Sequence, residues 1–303
     1  MDATISDFLD FLIAEKGGSE NTVAAYRNDL TQFSEFVSHT SETDVAIDWS
    51  QLTREQLIDF ILFLREREYA SSTVARKVAA IKSFFQFLVR VGRIAESPAE
   101  DLDSPKVRKQ LPQTLTPAEV ARLLAQPLES GNSSKALRDT ALLEILYATG
   151  MRVSEAAGLT LDDLDLQSGS VRCIGKGNKE RVIPLYPEAL QAVSTYIDAA
   201  RKSFLGDHRG ERTLFLNPRG ERLTRQGLWL IVKGYARALG MGDRVTPHTL
   251  RHSFATHMLN GGAGLREVQR LLGHANISTT QVYTHLTSEH LKKSYEKAHP
   301  RAK

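Results

Sequence analysis

His248 and Arg251 stand three residues apart in PHTLRHSFATHML, a spacing that puts both side chains on one face of a helix. A guanidinium offers phosphate two parallel hydrogen bonds, and an imidazole beside it can move a proton near neutral pH. His252 lies four residues beyond His248, a zinc-compatible spacing. The intervening Thr-Leu-Arg lacks the general-base glutamate of a metalloprotease helix, and Arg251 sets a fixed positive charge beside any cation. Arg152 follows Gly150-Met151 between two helical runs; alone it reads as a surface arginine. Lys176 sits in the turn-like Gly175-Lys176-Gly177-Asn178. His274 follows Leu271-Leu272-Gly273, where Gly273 suits a helix C-cap. Ser278-Thr279-Thr280-Gln281 has the form of a capping box and starts a helix carrying Tyr283. A lone tyrosine on a short helix is ordinarily an amphipathic core residue.

Taken together these residues make an anion site. Arg152 and Arg251 can clamp one phosphate. His248, His274 and Lys176 can supply hydrogen bonds or protons, and Tyr283 supplies a hydroxyl. Carboxylates are missing from the set, so it offers nothing to hold the Mg²⁺ of metal nucleases and polymerases. A basic phosphate site with a tyrosine points to covalent catalysis, with the phenol as nucleophile. Other chemistries lose their signatures: Gly175-Lys176 is followed by glycine rather than Ser/Thr, and neither G-x-G-x-x-G nor G-x-S-x-G occurs. No cofactor and no metal are expected.

The elements that must carry these residues can be read from apolar spacing. Residues 1–100 read as helical. Ile5, Phe8, Leu9 and Leu12 follow one helix face, and Val23, Tyr26, Leu30, Phe33 and Val37 follow another. Thr53 and Gln56 form a capping box before QLIDFILFL. Val74, Val78, Ile81, Phe85 and Leu88 stripe a fourth helix, with Arg76, Ser83 and Arg90 on its other side. Residues 101–113 read as an exposed linker with Lys106, Arg108 and Lys109. A catalytic domain then spans 114–303, opened by Thr116-Pro117-Ala118-Glu119 as cap, first-turn proline and box partner. Within it LRDTALLEILYATG is helical, Val171–Ile174 and Arg181–Leu185 form a hairpin, Pro187–Phe204 is helical, and Thr213–Leu216 is a candidate strand. Helices follow from Thr224. The tail HLKKSYEKAHPRAK reads as an exposed, fraying helix.

Charge is distributed unevenly. Residues 1–70 hold 5 basic and 14 acidic side chains, 71–110 hold 8 and 4, and 111–303 hold 26 and 18. The positive surplus starts near residue 71, as a polyanion partner requires. One cysteine, Cys173, leaves no disulfide framework. No apolar run reaches the length of a membrane span, and MDATISDFLDFL has no basic n-region, so a cytoplasmic location is expected.

Four segments in order, ATGMRVSEAAGLT, IGKGNKERVIPL, PHTLRHSFATHML and LLGHANISTTQVYTH, closely resemble the tyrosine recombinase (phage integrase) family, nearest its XerC/XerD group. The likeness runs over essentially the whole chain. It implies a mainly α protein: a helical, SAM-like core-binding domain and an α+β catalytic domain with a small β-sheet, closing on duplex DNA as a clamp. It implies that Tyr283 attacks a scissile phosphate, forming a 3′-phosphotyrosyl link and freeing a 5′-hydroxyl. Arg152 and Arg251 hold the non-bridging oxygens, Lys176 protonates the leaving oxygen, His248 assists the tyrosine, and His274 bonds the phosphate. Arg76, Lys77 and Arg90 on the fourth helix, with Lys106, Arg108 and Lys109, are expected to meet DNA. The likeness further implies a tetramer on two recombination sites, exchange of residues 286–303 between protomers, and a nucleoid-associated role in resolving chromosome dimers. An FtsK-type translocase is a candidate activator. A topoisomerase IB-like enzyme and a catalytically silent DNA-binding protein are the competing readings.

Overall fold

The chain is seen here as a computed structural model that describes residues 2–15, 17–40, 47–105, 114–175, 180–206, 208, 210–273 and 288–302. Lys106, Arg108, Lys109, Lys176, His274 and Tyr283 lie outside the described residues. Two compact units divide it, Met1–Gln110 and Leu111–Lys303. No helix among the described residues is long and apolar enough to cross a membrane.

The first unit holds helices α1 (Ala3–Ala14), α2 (Glu20–Thr40), α3 (Arg54–Glu66) and α4 (Ser71–Arg90). The expected capping box at Thr53 and Gln56 opens α3. The apolar stripes meet in an aromatic core, where Phe33 lies 5.1 Å from Phe60 and Trp49 lies 4.9 Å from Phe84, centroid to centroid. One carboxylate is buried with them. Asp29 accepts from Lys77 Nζ at 2.9 Å and from Arg76. Lys77 is therefore turned inward, with its side chain 7 % exposed. This corrects its place on the DNA-facing surface, because a buried carboxylate needs a cation close by. Arg76 and Arg90 remain exposed, the latter 2.6 Å from Glu15 and lying over the Phe11 ring. Lys77→Met should consequently cost about 3 kcal/mol of stability in urea denaturation. It should leave the salt dependence of DNA binding unchanged.

The second unit is built round α6 (Ser134–Thr149), buried along nearly its whole length. Helix α5 (Pro117–Ala125) precedes it and opens with the Thr116–Glu119 capping box and Pro117. Gly150 ends α6 in the left-handed conformation at φ 56°. A Cβ there would meet the Phe254 ring at 2.4 Å, so both backbone and packing demand glycine. Short α7 (Val153–Gly158) follows, then an antiparallel sheet in the order β1 (Leu164–Asp165), β2 (Ser170–Ile174), β3 (Glu180–Pro184). Val171 pairs with Ile183 and Cys173 with Arg181.

Pro187–Phe204 is helical but not uniform: α8 (Pro187–Thr195) passes through a π-helical turn, Tyr196–Arg201, into α9 (Lys202–Leu205). Thr213–Leu216 is not a strand. The buried Arg201 guanidinium takes the carbonyls of Thr213 and Leu214, so these groups are spent on a side chain and only isolated bridges form. Helices α10 (Arg225–Ala238), α11 (Pro247–Asn260), α12 (Leu265–Leu272) and α13 (Ser288–Ala298) complete the unit.

The tail does not fray. Tyr295 and His299 are fully buried, and Tyr295 Oη donates to the Ala148 carbonyl at 3.0 Å. The His299 ring stacks on Tyr186 and Tyr295 at 4.8 and 4.9 Å, and Arg301 pairs with Glu144 at 3.0 Å. Burial drives the His299 pKa down to about 3 from its ordinary 6.5. The folded state thus holds this ring neutral. Its contribution is complete above pH 6.5 and is lost as the pH falls from there toward 3. The unit should lose about 2 kcal/mol between pH 7.5 and pH 5 from this group, read as faster amide exchange in α13 after correction for intrinsic rates.

Candidate active site

Arg152 and Arg251 reach the same place from different elements. The Gly150 turn delivers Arg152 to the N-cap of α7, where its backbone N–H donates to Glu155 Oε2 at 2.8 Å. Its Nη1 meets Glu155 Oε1 at 3.1 Å, and its side chain stays 40 % exposed. Arg251 lies in the second turn of α11, whose start is fixed by Pro247 and a Thr246–Thr249 capping box. It donates from Nη1 to the Gly150 carbonyl at 2.6 Å and from Nη2 to the Leu272 carbonyl at 2.8 Å. One guanidinium therefore ties the Gly150 turn that precedes Arg152 to the end of α12, the helix that Gly273 caps at φ 65°. His274 is the next residue in the chain.

The electrostatics suit an anion. Burial pulls the Arg251 pKa down to about 10, helped by the Arg152 charge and only partly opposed by Glu155. Among the described residues its guanidinium donates to the neutral Gly150 and Leu272 carbonyls, and Glu155 offsets its charge only in part. Glu155 behaves in the opposite way. Burial would raise its carboxyl, but hydrogen bonds from Arg181 and from the Arg152 N–H, with both arginine charges, hold it below the usual range. His248 is exposed in the first turn of α11, on the face it shares with Arg251. His252 is half-buried, and no group of three or more His, Cys, Asp or Glu side chains among the described residues could hold a metal ion.

The structure thus brings Arg152 and Arg251 together with His248 on the same helix face as Arg251. Glu155 and Arg181 were not singled out from the sequence. Arg181 Nη2 lies 2.7 Å from Glu155 Oε2, and its Nε donates to the Leu271 carbonyl at 2.7 Å. Signals for both exist. Glu155 stands at capping-box distance from Arg152. Arg181 shares the inward register of Ile183 on β3, which is an unusual place for a cation.

Comparison with known proteins gives this geometry its context. Residues 113–290 match the phage integrase family, and residues 5–92 match the N-terminal SAM-like domain of phage integrases. The chain belongs to the phage integrase family. It is a site-specific tyrosine recombinase, an enzyme of DNA strand exchange. It is 52 % identical to the tyrosine recombinase XerC of Herpetosiphon aurantiacus over 95 % of its own length and 92 % of that protein. It is 43 % identical to the tyrosine recombinase XerD of Oceanobacillus iheyensis over the whole of both chains. In fold it is similar to a lambda integrase tetramer bound to a Holliday junction, with a TM-score of 0.66 at 18 % identity, covering 94 % of this chain and 79 % of that one. The mainly α architecture with a small antiparallel sheet is that of this family.

Proposed function

We propose that Tyr283 attacks a scissile DNA phosphate between Arg152 and Arg251, leaving a 3′-phosphotyrosyl link on one strand end and a 5′-hydroxyl on the other. The P–O5′ bond breaks as the P–Oη bond forms. Lys176 returns a proton to the leaving oxygen, His248 assists the phenol, and His274 bonds a non-bridging oxygen. The supporting observation is the like-charge arginine pair, with the Arg251 guanidinium largely taken out of water and bonded to neutral carbonyls, its charge only partly offset by Glu155. Such a site is organised before the phosphate binds, so little reorganisation remains at the moment of reaction. The new ester keeps the energy of the old one, so rejoining needs no nucleotide.

Two molecules of duplex and four of the chain make up the proposed working complex, as the lambda integrase tetramer on a Holliday junction suggests. The segment 286–303 is the proposed exchange element. Its anchors Tyr295 and His299 occupy sockets on their own unit here, and an identical neighbour offers identical sockets. Arg76, Arg90, Lys106, Arg108 and Lys109 are proposed to contact DNA phosphates, giving affinity rather than sequence choice. Chromosome-dimer resolution is consistent with the XerC and XerD names of the relatives; a cytoplasmic place at the nucleoid and an FtsK-type translocase as candidate activator belong to the proposal.

The test is a covalent trap. A nicked duplex, selected from a random-core library for capture by the wild-type chain, loses a short fragment after cleavage and cannot rejoin. A protein–DNA adduct formed in EDTA supports the reading. Absence of any adduct, or its loss when EDTA is added, defeats it.

A further inference from the structure

The proposed phosphate clamp leaves one question: what fixes Arg152, whose side chain stands 40 % exposed on a short helix? Its hold is Glu155. That carboxylate is 6 % exposed and receives two donors from Arg152. Its other two contacts come from Arg181, at 3.2 Å to Oε1 and 2.7 Å to Oε2. Arg181 is itself held. Its side chain is 11 % exposed, and Nε donates to the Leu271 carbonyl at the end of α12. A Cβ on Gly273 would lie 3.0 Å from Arg181 Nη1, so the guanidinium lies close against the helix cap.

We infer that Arg181 is a positioning residue for strand cleavage: it fixes Glu155, and through it the Arg152 guanidinium, while joining β3 to the end of α12. The inference rests on the recombinase reading above and adds a residue that does not touch the phosphate. Its three donor atoms are all engaged within the protein, and its side chain is nearly covered. A lysine can keep the charge but cannot grip both carboxylate oxygens and the Leu271 carbonyl together. The neighbouring Leu271 and Leu272 carbonyls accept from Arg181 and Arg251 respectively, so the two guanidiniums staple one helix end. The chain leaving that end carries His274 and Tyr283.

The experiment is a cycle of Arg181→Lys and Arg152→Lys, with single-turnover adduct formation on the captured nicked duplex. Binding and melting temperature are measured beside it. Arg181→Lys should slow adduct formation by about 10- to 100-fold with duplex affinity changed by less than about twofold, since a small misplacement of a clamp costs that much. In the Arg152→Lys chain, where the positioned guanidinium is gone, Arg181→Lys should cost less than about threefold more. A merely structural defect would multiply equally in both backgrounds, and that result overturns the inference. So does a wild-type rate in Arg181→Lys, or a loss of binding equal to the loss of cleavage, which would make Arg181 a phosphate ligand. If the wild-type chain captures no duplex at all, the recombinase reading has failed, a different outcome from any of these.

Discussion

Arg251→Ala should slow strand cleavage by about 100- to 1,000-fold, the range measured when one pre-set donor to a developing oxyanion is removed. The loss has two sources in the structure. The first is charge: a guanidinium whose pKa is drawn down to about 10 by burial and by Arg152, with Glu155 offsetting this only in part, gains favourable interaction when an anion arrives. That gain belongs to the bound and transition states. The second is position. Without the bonds to Gly150 and Leu272, the turn before Arg152 and the end of α12 lose a common tie. Arg251→Lys should recover little, because an ammonium cannot serve two carbonyls in a fixed fork and still present a flat pair of donors to phosphate. Duplex affinity should change only severalfold, since many phosphate contacts share the binding and one contributes a small part. Gel-shift titration beside single-turnover adduct formation separates the two quantities. Equal loss of both would show that Arg251 acts in binding alone.

Much of this architecture was legible because local physics and tertiary packing agree. Thr53–Gln56 and Thr116–Glu119 satisfy the first orphan N–H groups of α3 and α5, whatever packs around them. Val171–Ile174 and Arg181–Leu185 alternate as a half-buried hairpin must. Sequence and structure part where a charged or polar side chain is buried rather than exposed. Lys77 lies three residues after Val74 and one before Val78, inside the buried stripe of α4. Its partner Asp29 sits 48 residues earlier, beyond the reach of any local pattern. The tail made the same point: Tyr295, Ala298 and His299 follow a helical face, yet the flanking lysines suggested solvent. At the site, Arg152 and Arg251 were legible through the segments that carry them. The Glu155–Arg181 support was not, because it depends on Arg181 of β3 reaching a carboxylate of α7 that lies 26 residues earlier in the chain.

Tyr283→Phe should abolish the covalent adduct while leaving duplex binding intact. The change removes one oxygen, and no other candidate residue carries a hydroxyl that could form the phosphate ester in its place. A phenol of ordinary pKa, near 10, is about 0.1 % ionised at pH 7. The reaction therefore needs either removal of its proton as it attacks or a field that stabilises the phenolate. In the proposed mechanism Arg152 and Arg251 supply such a field at the phosphate. A field that stabilises the phenolate moves its titration downward without changing its slope, so the wild-type rate should level off at a pH below the ordinary phenol range. It also separates two ways of losing activity. Arg251→Ala leaves a slow enzyme whose adduct accumulates over longer times, whereas Tyr283→Phe leaves none at any time. A phenylalanine variant that still traps the nicked duplex would place the covalent bond on another residue and remove the basis for the proposed chemistry.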